Sequence, residues 1–263
     1  MFNVSALHQQ TQQVFRAIAQ NSIARDFLLI GGTALSLHIA HRQSNDLDFI
    51  FSDTSGRLPV SSIDELIAQL RSIGHTTQLI TNASEASKFR INTGERLSDY
   101  ARDYAIDGVK VTFFSANPSR HPKRFAFWQN ATRDRQHGVS FAVLSLDALR
   151  VAKTLVLQDR VRSRDLFDLM ILMRDYGYSI ESFFDTINRY SDGAISGDEE
   201  RLILRGLVPL DKADEGLDAV NVNLDLQQMY RFFDERITEH DKQIHAQNVR
   251  AANAAAQSLG RSQ

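Results

Sequence analysis

The 263-residue chain contains no cysteine. Disulfides and thiolate metal sites are thereby excluded, carboxylate metal sites are not, and the composition fits a reducing compartment. No apolar run approaches the roughly 20 residues that span a bilayer. The opening stretch, MFNVSALHQQTQQVFRAIAQ, lacks the basic start and apolar run of a secretory leader. These absences predict a cytoplasmic protein with no membrane partner. Charge of one sign is also missing overall, the total being −2. That neutrality hides a division. Between Lys88 and Arg135 ten Lys and Arg stand against five Asp and Glu, whereas between Glu181 and Glu239 six stand against fourteen. The middle of the chain is basic and its C-terminal third acidic.

What is present is a hydrophobic share of 43%, enough for one large domain or two small ones. Helical spacing marks residues 5–25, and Phe27-Leu-Leu-Ile30 is a short strand candidate stopped by Gly31-Gly32. A helix is expected from Thr33 and a strand over 46–51. Residues 62–74 form an amphipathic helix, and a turn at Asp107-Gly108 precedes a β-prone stretch at 109–114. Asn117 to Asn130, with Pro118 and Pro122, reads as irregular. Helices are expected from Ser145 and over Arg164–Met173. Loops around a short helix at 198–206 are expected in 192–222, then a polar helix over 224–250 and a fraying Ala-rich tail, 251–263. The pattern predicts an α+β fold: a mixed sheet with helices over residues 1–140, then a mainly helical region, 141–263.

The chemistry concentrates in Gly31-Gly32-Thr33 followed by Asp46-Leu47-Asp48. A strand that ends in glycines and runs into a helix exposes backbone N–H groups, which together with the helix dipole suit a triphosphate. Thr33 adds a hydroxyl that can donate or cap the helix. Asp46 and Asp48 lie two apart on a strand, so they share a face, while Leu47, Phe49 and Phe51 take the other. Two neighbouring carboxylates repel unless a cation lies between them, and all-oxygen ligands favour Mg²⁺ or Mn²⁺ shared with substrate phosphates. Either half alone is commonplace; the strand–turn–helix–strand spacing gives the pair its meaning.

The stretch FLLIGGTALSLHIAHRQSNDLDFIF resembles the motif of the AbiEii/AbiGii-type (DUF1814) nucleotidyltransferase toxins, within the polymerase-β-like nucleotidyltransferase superfamily. It carries Gly31, Gly32, Thr33, Ala34 and Leu35, then Arg42 and Ser44, then Asp46, Leu47, Asp48 and Phe49. A second, weaker likeness is Lys153 on one helix and Arg164-Asp165-Leu-Phe-Asp168 on the next. The resemblance extends over about residues 25–175 and implies transfer of a nucleotide from an NTP to RNA, including the 3′ end of tRNA, or to protein. It further implies Mg²⁺ or Mn²⁺ at Asp46 and Asp48, an antitoxin partner and a role in phage defence. Asp46, Asp48, Lys153 and Asp165 become the expected catalytic set. Gly31, Gly32, Thr33, Arg42, Ser44 and Lys110 are the expected nucleotide contacts.

Blander accounts exist for several of these residues. Arg164 and Asp168 are spaced for an i,i+4 salt bridge. His38 and His41 read as structural. In Arg120-His-Pro-Lys-Arg-Phe-Ala-Phe-Trp128 the cations suit phosphates and the rings suit unstacked bases, but the rings equally suit a core beneath a basic loop. The superfamily usually has a third carboxylate on a later strand, where this chain has Thr112, with Lys110 on the same face. Two alternatives stay open for that reason: a degenerate NTP- or partner-binding module, and a phosphotransferase using the same corner.

Overall fold

The computed structural model describes residues 1–191 and 197–260, and the side chains up to residue 253. Its strands are β1 (Leu28–Ile30), β2 (Leu47–Phe51), β3 (Thr77–Leu79), β4 (Ala101–Ile106), β5 (Val109–Ser115), β6 (Arg133–Asp134) and β7 (Ala142–Leu144). Its helices are α1 (Gln9–Ala19), α2 (Gly31–Ile39), α3 (Val60–Ser72), α4 (Ala83–Thr93), α5 (Pro122–Asn130), α6 (Leu146–Val156), α7 (Ser163–Asp175), α8 (Ile180–Tyr190), α9 (Gly197–Leu204) and α10 (Leu226–Gly260).

Alternation in β2 sets the orientation of the sheet. Leu47 and Phe49 are fully buried and Phe51 packs partly against them. Phe49 stacks on Phe113 at 5.5 Å and meets the edge of Phe141 at 5.0 Å, and Phe141 in turn meets Phe15 of α1 at 5.3 Å. The seven strands form one mixed sheet in the order β3-β4-β5-β2-β1-β7-β6. β2 runs antiparallel to β1 and parallel to β5, and β1 runs parallel to β7. One face carries α1 and α3. The other carries α2, which contacts α6 and α7 of the following helical layer. A single buried apolar cluster runs through both parts of the chain. This is the α+β arrangement expected, although β7 continues the sheet beyond residue 140.

Other details differ from expectation. β3, β4 and α4 lacked a clear pattern; α4 buries none of its side chains and so has no apolar stripe to reveal it. The segment 117–130 is not irregular throughout, because α5 begins at Pro122. Proline is tolerated at the first helical position, where its missing N–H has no intrahelical partner to lose. The turn at Asp107-Gly108 joins β4 to β5, with both residues at positive φ. The short helix expected at 198–206 is α9. The part of the expected loop at 192–196 and the last three residues of the expected fraying tail, 261–263, lie outside the described residues, and α10 continues to Gly260. Among the described residues no helix is long and apolar enough to cross a membrane.

Phe49→Ala should lower stability by about 3–5 kcal/mol, the cost of emptying a packed aromatic site. A reduced urea midpoint with an unchanged slope would show it; an unchanged midpoint would mean that Phe49 is not central to the core.

Candidate active site

β1 ends at Ile30 and α2 opens at once, with no side chain capping its N-terminus. The first N–H groups of the helix are left to whatever approaches. Gly31 has φ +75°, and a Cβ there would lie 2.8 Å from Asp48 Oδ2. A Cβ on Gly32 would lie 2.3 Å from Arg42 Nη2. Each glycine is dictated by the side chain it faces, a carboxylate in one case and a guanidinium in the other. Thr33 neither caps α2 nor reaches outward. Its hydroxyl bonds the Asp46 carbonyl and the Ser44 hydroxyl, the latter at 2.7 Å, and both side chains are buried. They fasten the turn that begins at Ala40, itself left-handed at φ 50°, and so set the position of Asp46.

Asp48 lies in register with Ile30 of β1 and Thr112 of β5, and Asp46 just precedes the strand. Burial pushes both carboxyls above their usual range. For Asp46, Arg164 and Lys110 pull the other way without overcoming burial; for Asp48, the charge of Asp46 adds to the effect. Among the described residues no hydrogen bond to either side chain stands among the main causes of its shift.

Behind this pair lies the opposite situation. Lys153 is 4% exposed, and its Nζ lies 2.9 Å from Asp165 Oδ1 and 2.5 Å from Asp168 Oδ2. Arg42 forks onto both oxygens of Asp168 at 2.7 and 3.0 Å, and His41 Nε2 reaches Asp168 Oδ1 at 2.7 Å. Arg160 closes on Asp165 Oδ2 at 2.9 Å. Burial alone would raise these two acids, but Arg42 and Lys153 hold Asp168 well below the usual range, and Lys153 and Arg160 hold Asp165 below it. Arg42 is held above its ordinary value: burial opposes this, and Asp168 outweighs it. The i,i+4 bridge open to Arg164 does not form. Arg164 pairs with Glu215 at 3.1 Å, because Asp168 points inward to other partners.

A cavity of about 610 Å³ joins these features. Its lining includes Gly31, Asp48, Lys110, Thr112, Lys153 and Arg160 together with Phe89, Tyr100, Arg120, His121, Phe125 and Trp128. The expected residues Gly32, Thr33, Arg42, Ser44, Asp46 and Asp165 do not line it. Arg42, Ser44, Thr33 and Asp165 are tied into the buried bonds just described, and Asp46 stands beside Asp48. In the 120–128 segment Phe127 packs against Tyr190 at 5.3 Å, as a core ring would, while Phe125 and Trp128 line the cavity. Arg124 is bound to Asp159 and Gln158, and Lys123 to the Ser191 carbonyl. Phe89, Tyr100 and Arg160 were not anticipated as site residues, nor was the closeness of His41 to Asp168. Among the described residues no three metal-ligating side chains converge, so a cation here would rest on Asp46 and Asp48, with phosphate and water completing its shell.

Comparison with known families settles the class. Residues 13–255 match the family described as "Nucleotidyl transferase AbiEii toxin, Type IV TA system". The chain belongs to this family. It is thus a nucleotidyltransferase of the AbiEii toxin type. It is 23% identical over 175 residues to an Aquifex aeolicus protein described as uncharacterized, covering 66% of this chain and 71% of that protein. Its fold is shared with the crystal structure of a provisionally assigned nucleotidyltransferase from Helicobacter pylori, at TM-score 0.51 and 18% identity over 90% of this chain and 96% of the other.

In this AbiEii-family chain Asp168→Ala should cost about 3–5 kcal/mol, since it leaves buried cations unpaired. Asp168 has a depressed pKa, so its contribution is fully present above the usual carboxylate range and disappears as pH falls through the folded value. The gap in unfolding free energy between wild type and variant should therefore narrow in acid; a gap independent of pH would contradict the ion-pair account.

Proposed function

We propose that the chain transfers a nucleotide from an NTP to an acceptor hydroxyl with the help of Mg²⁺ or Mn²⁺, acting as a cytoplasmic toxin that is countered by an antitoxin. The carrying observation is the contrast inside one site: Asp165 and Asp168 are closed by Arg42, Lys153 and Arg160, whereas among the described residues no cation closes on Asp46 or Asp48, whose carboxyls burial raises. A divalent cation fits the uncompensated pair by charge and by donor type. Asp46 and Asp48 would hold such a cation, and when bound it would supply positive charge to offset the charge of the triphosphate.

The chain's own groups supply the rest. The uncapped N–H groups of α2 receive phosphate oxygens. Lys153 has three ammonium hydrogens and two carboxylates to satisfy, so one hydrogen remains for phosphate at the cavity wall. Asp165 acts through Lys153 and Arg160 by fixing where they point, and Arg42, Ser44 and Thr33 set the turn that presents Asp46. Catalysis on this plan is positioning plus charge stabilisation. The basic middle of the chain and the cations and rings that line the cavity favour RNA, including tRNA, as acceptor over protein.

The test uses Mg²⁺, NTPs labelled at the α or γ position, and total cellular RNA and protein. Label from the α position should appear on RNA, and Asp48→Asn should reduce it at least a hundredfold. Label from γ alone would indicate a phosphotransferase, and activity of Asp48→Asn within a few-fold of wild type would remove Asp48 from the site.

Stability gives a second check with a less obvious sign. Because the Asp48 carboxyl is raised, the folded chain loses stability as pH rises through its folded value. Without a divalent cation, Asp48→Asn should therefore melt higher than wild type at neutral pH. Added Mg²⁺ should raise the melting temperature of wild type and leave the variant unchanged. Equal Mg²⁺ stabilisation of both would place the cation elsewhere.

A further inference from the structure

Attack on a phosphorus requires something to receive the proton of the attacking hydroxyl. Thr112, the sheet neighbour of Asp48, offers a hydroxyl that is no base. The register continues one strand further: Thr112 of β5 pairs with Asp103 of β4. Asp48, Thr112 and Asp103 therefore form a row straight across β2, β5 and β4, on the face that looks into the cavity. The intervening partners, Tyr104 with Val111 and Ile106 with Val109, are buried on the opposite face.

The row also has a direction. Gly31, Lys153 and Arg160 gather at the Asp48 end, so a triphosphate is held there and pyrophosphate departs towards it. In-line displacement places the attacking oxygen on the other side of the phosphorus, over β5 and β4, where Asp103 stands. Other acids near the cavity are committed. Asp159 lies 2.9 Å by both oxygens from Arg124, and Asp165 and Asp168 are locked in buried ion pairs. Asp103 has a looser contact, Lys110 Nζ at 3.5 Å, and its side chain is 28% exposed.

We propose that Asp103 is a catalytic residue: its carboxylate takes the proton of the acceptor hydroxyl as that oxygen bonds to the α-phosphorus and the bond from the α-phosphorus to the pyrophosphate oxygen breaks. Lys110 holds the carboxylate towards the cavity. This rests on the nucleotidyl-transfer reading and names the group that completes it.

The experiment measures transfer from α-labelled NTPs to total cellular RNA and protein, with NTP binding measured separately. Asp103→Asn should lower kcat roughly a hundredfold or more, the usual reach of a general base, while NTP affinity and the KM for NTP stay within about threefold. Asp48→Asn, by contrast, should lose NTP binding as well, so failure of the two readings looks different. The decisive variant moves the carboxylate one strand along the row: adding Thr112→Asp to Asp103→Asn should recover a large part of kcat. If Asp103 served only to pair with Lys110, Asp103→Asn would have no effect in a Lys110→Gln background; a further large loss of kcat is expected there. His121, on the facing wall, is the competing base. Loss of kcat in His121→Gln with Asp103→Asn unaffected would overturn the proposal, as would failure of the transplanted carboxylate to restore any turnover. A wild-type chain that transfers nothing would overturn this proposal and the reading beneath it together.

Discussion

The structure turns on a buried knot of charge: Asp168, gripped by Arg42 and Lys153, with Asp165 and Arg160 beside it. Burying Asp165, Asp168, Arg42 or Lys153 alone would cost several kcal/mol, while Arg160 closes the cluster from its exposed side. They persist because each supplies its neighbour's counter-charge in fixed geometry. The members come from four places, the turn after α2 (Arg42), the last turn of α6 (Lys153), the connection between α6 and α7 (Arg160) and the first turns of α7 (Asp165 and Asp168). The knot is thus a bolt between sheet and helical layer, and it determines where Gly32 must be, since Arg42 occupies the space of a side chain there.

A few ångströms away the same fold does the reverse. Asp46 and Asp48 are partly buried, and among the described residues no ion pair closes on them to offset that burial. A fold that completes one acid cluster and leaves the adjacent one incomplete stores a need for positive charge where an NTP would bring its cation. Destabilisation of the free protein and affinity for its substrate are, on this account, the same free energy viewed from two states.

How much of this was legible follows from what sequence patterns encode. The Gly-Gly turn and the Asp-x-Asp strand were legible because both periodicities are local: parity along β2 alone separates Asp48 from Leu47 and Phe49. Lys153 was legible only through the family resemblance, because a lysine on a helix is by itself as readily solvated. Side-chain direction within a motif was not. Thr33, Ser44 and Arg42 sit beside the glycines in sequence yet turn inward, and only the path after Ala40 decides that. Arg164 and Asp168 have textually ideal spacing for a helix pair, but long-range partners outbid it. β4 was obscured by the charges Arg102 and Asp103, and α4 by having no buried face, so Phe89, Tyr100 and Asp103 had no assigned place until the sheet order was known.

The chain has a single tryptophan, and that tryptophan, Trp128, stands on the cavity wall. Its indole is half-buried and packs on Phe127 at 4.7 Å. Excited at wavelengths beyond tyrosine absorption, the protein emits from one ring at one address. A base stacking in the cavity, a change in its hydration, or a shift of α5 would each register in that signal, undiluted by any other indole. The protein carries its own optical probe, positioned by the fold at the place where ligand chemistry is expected.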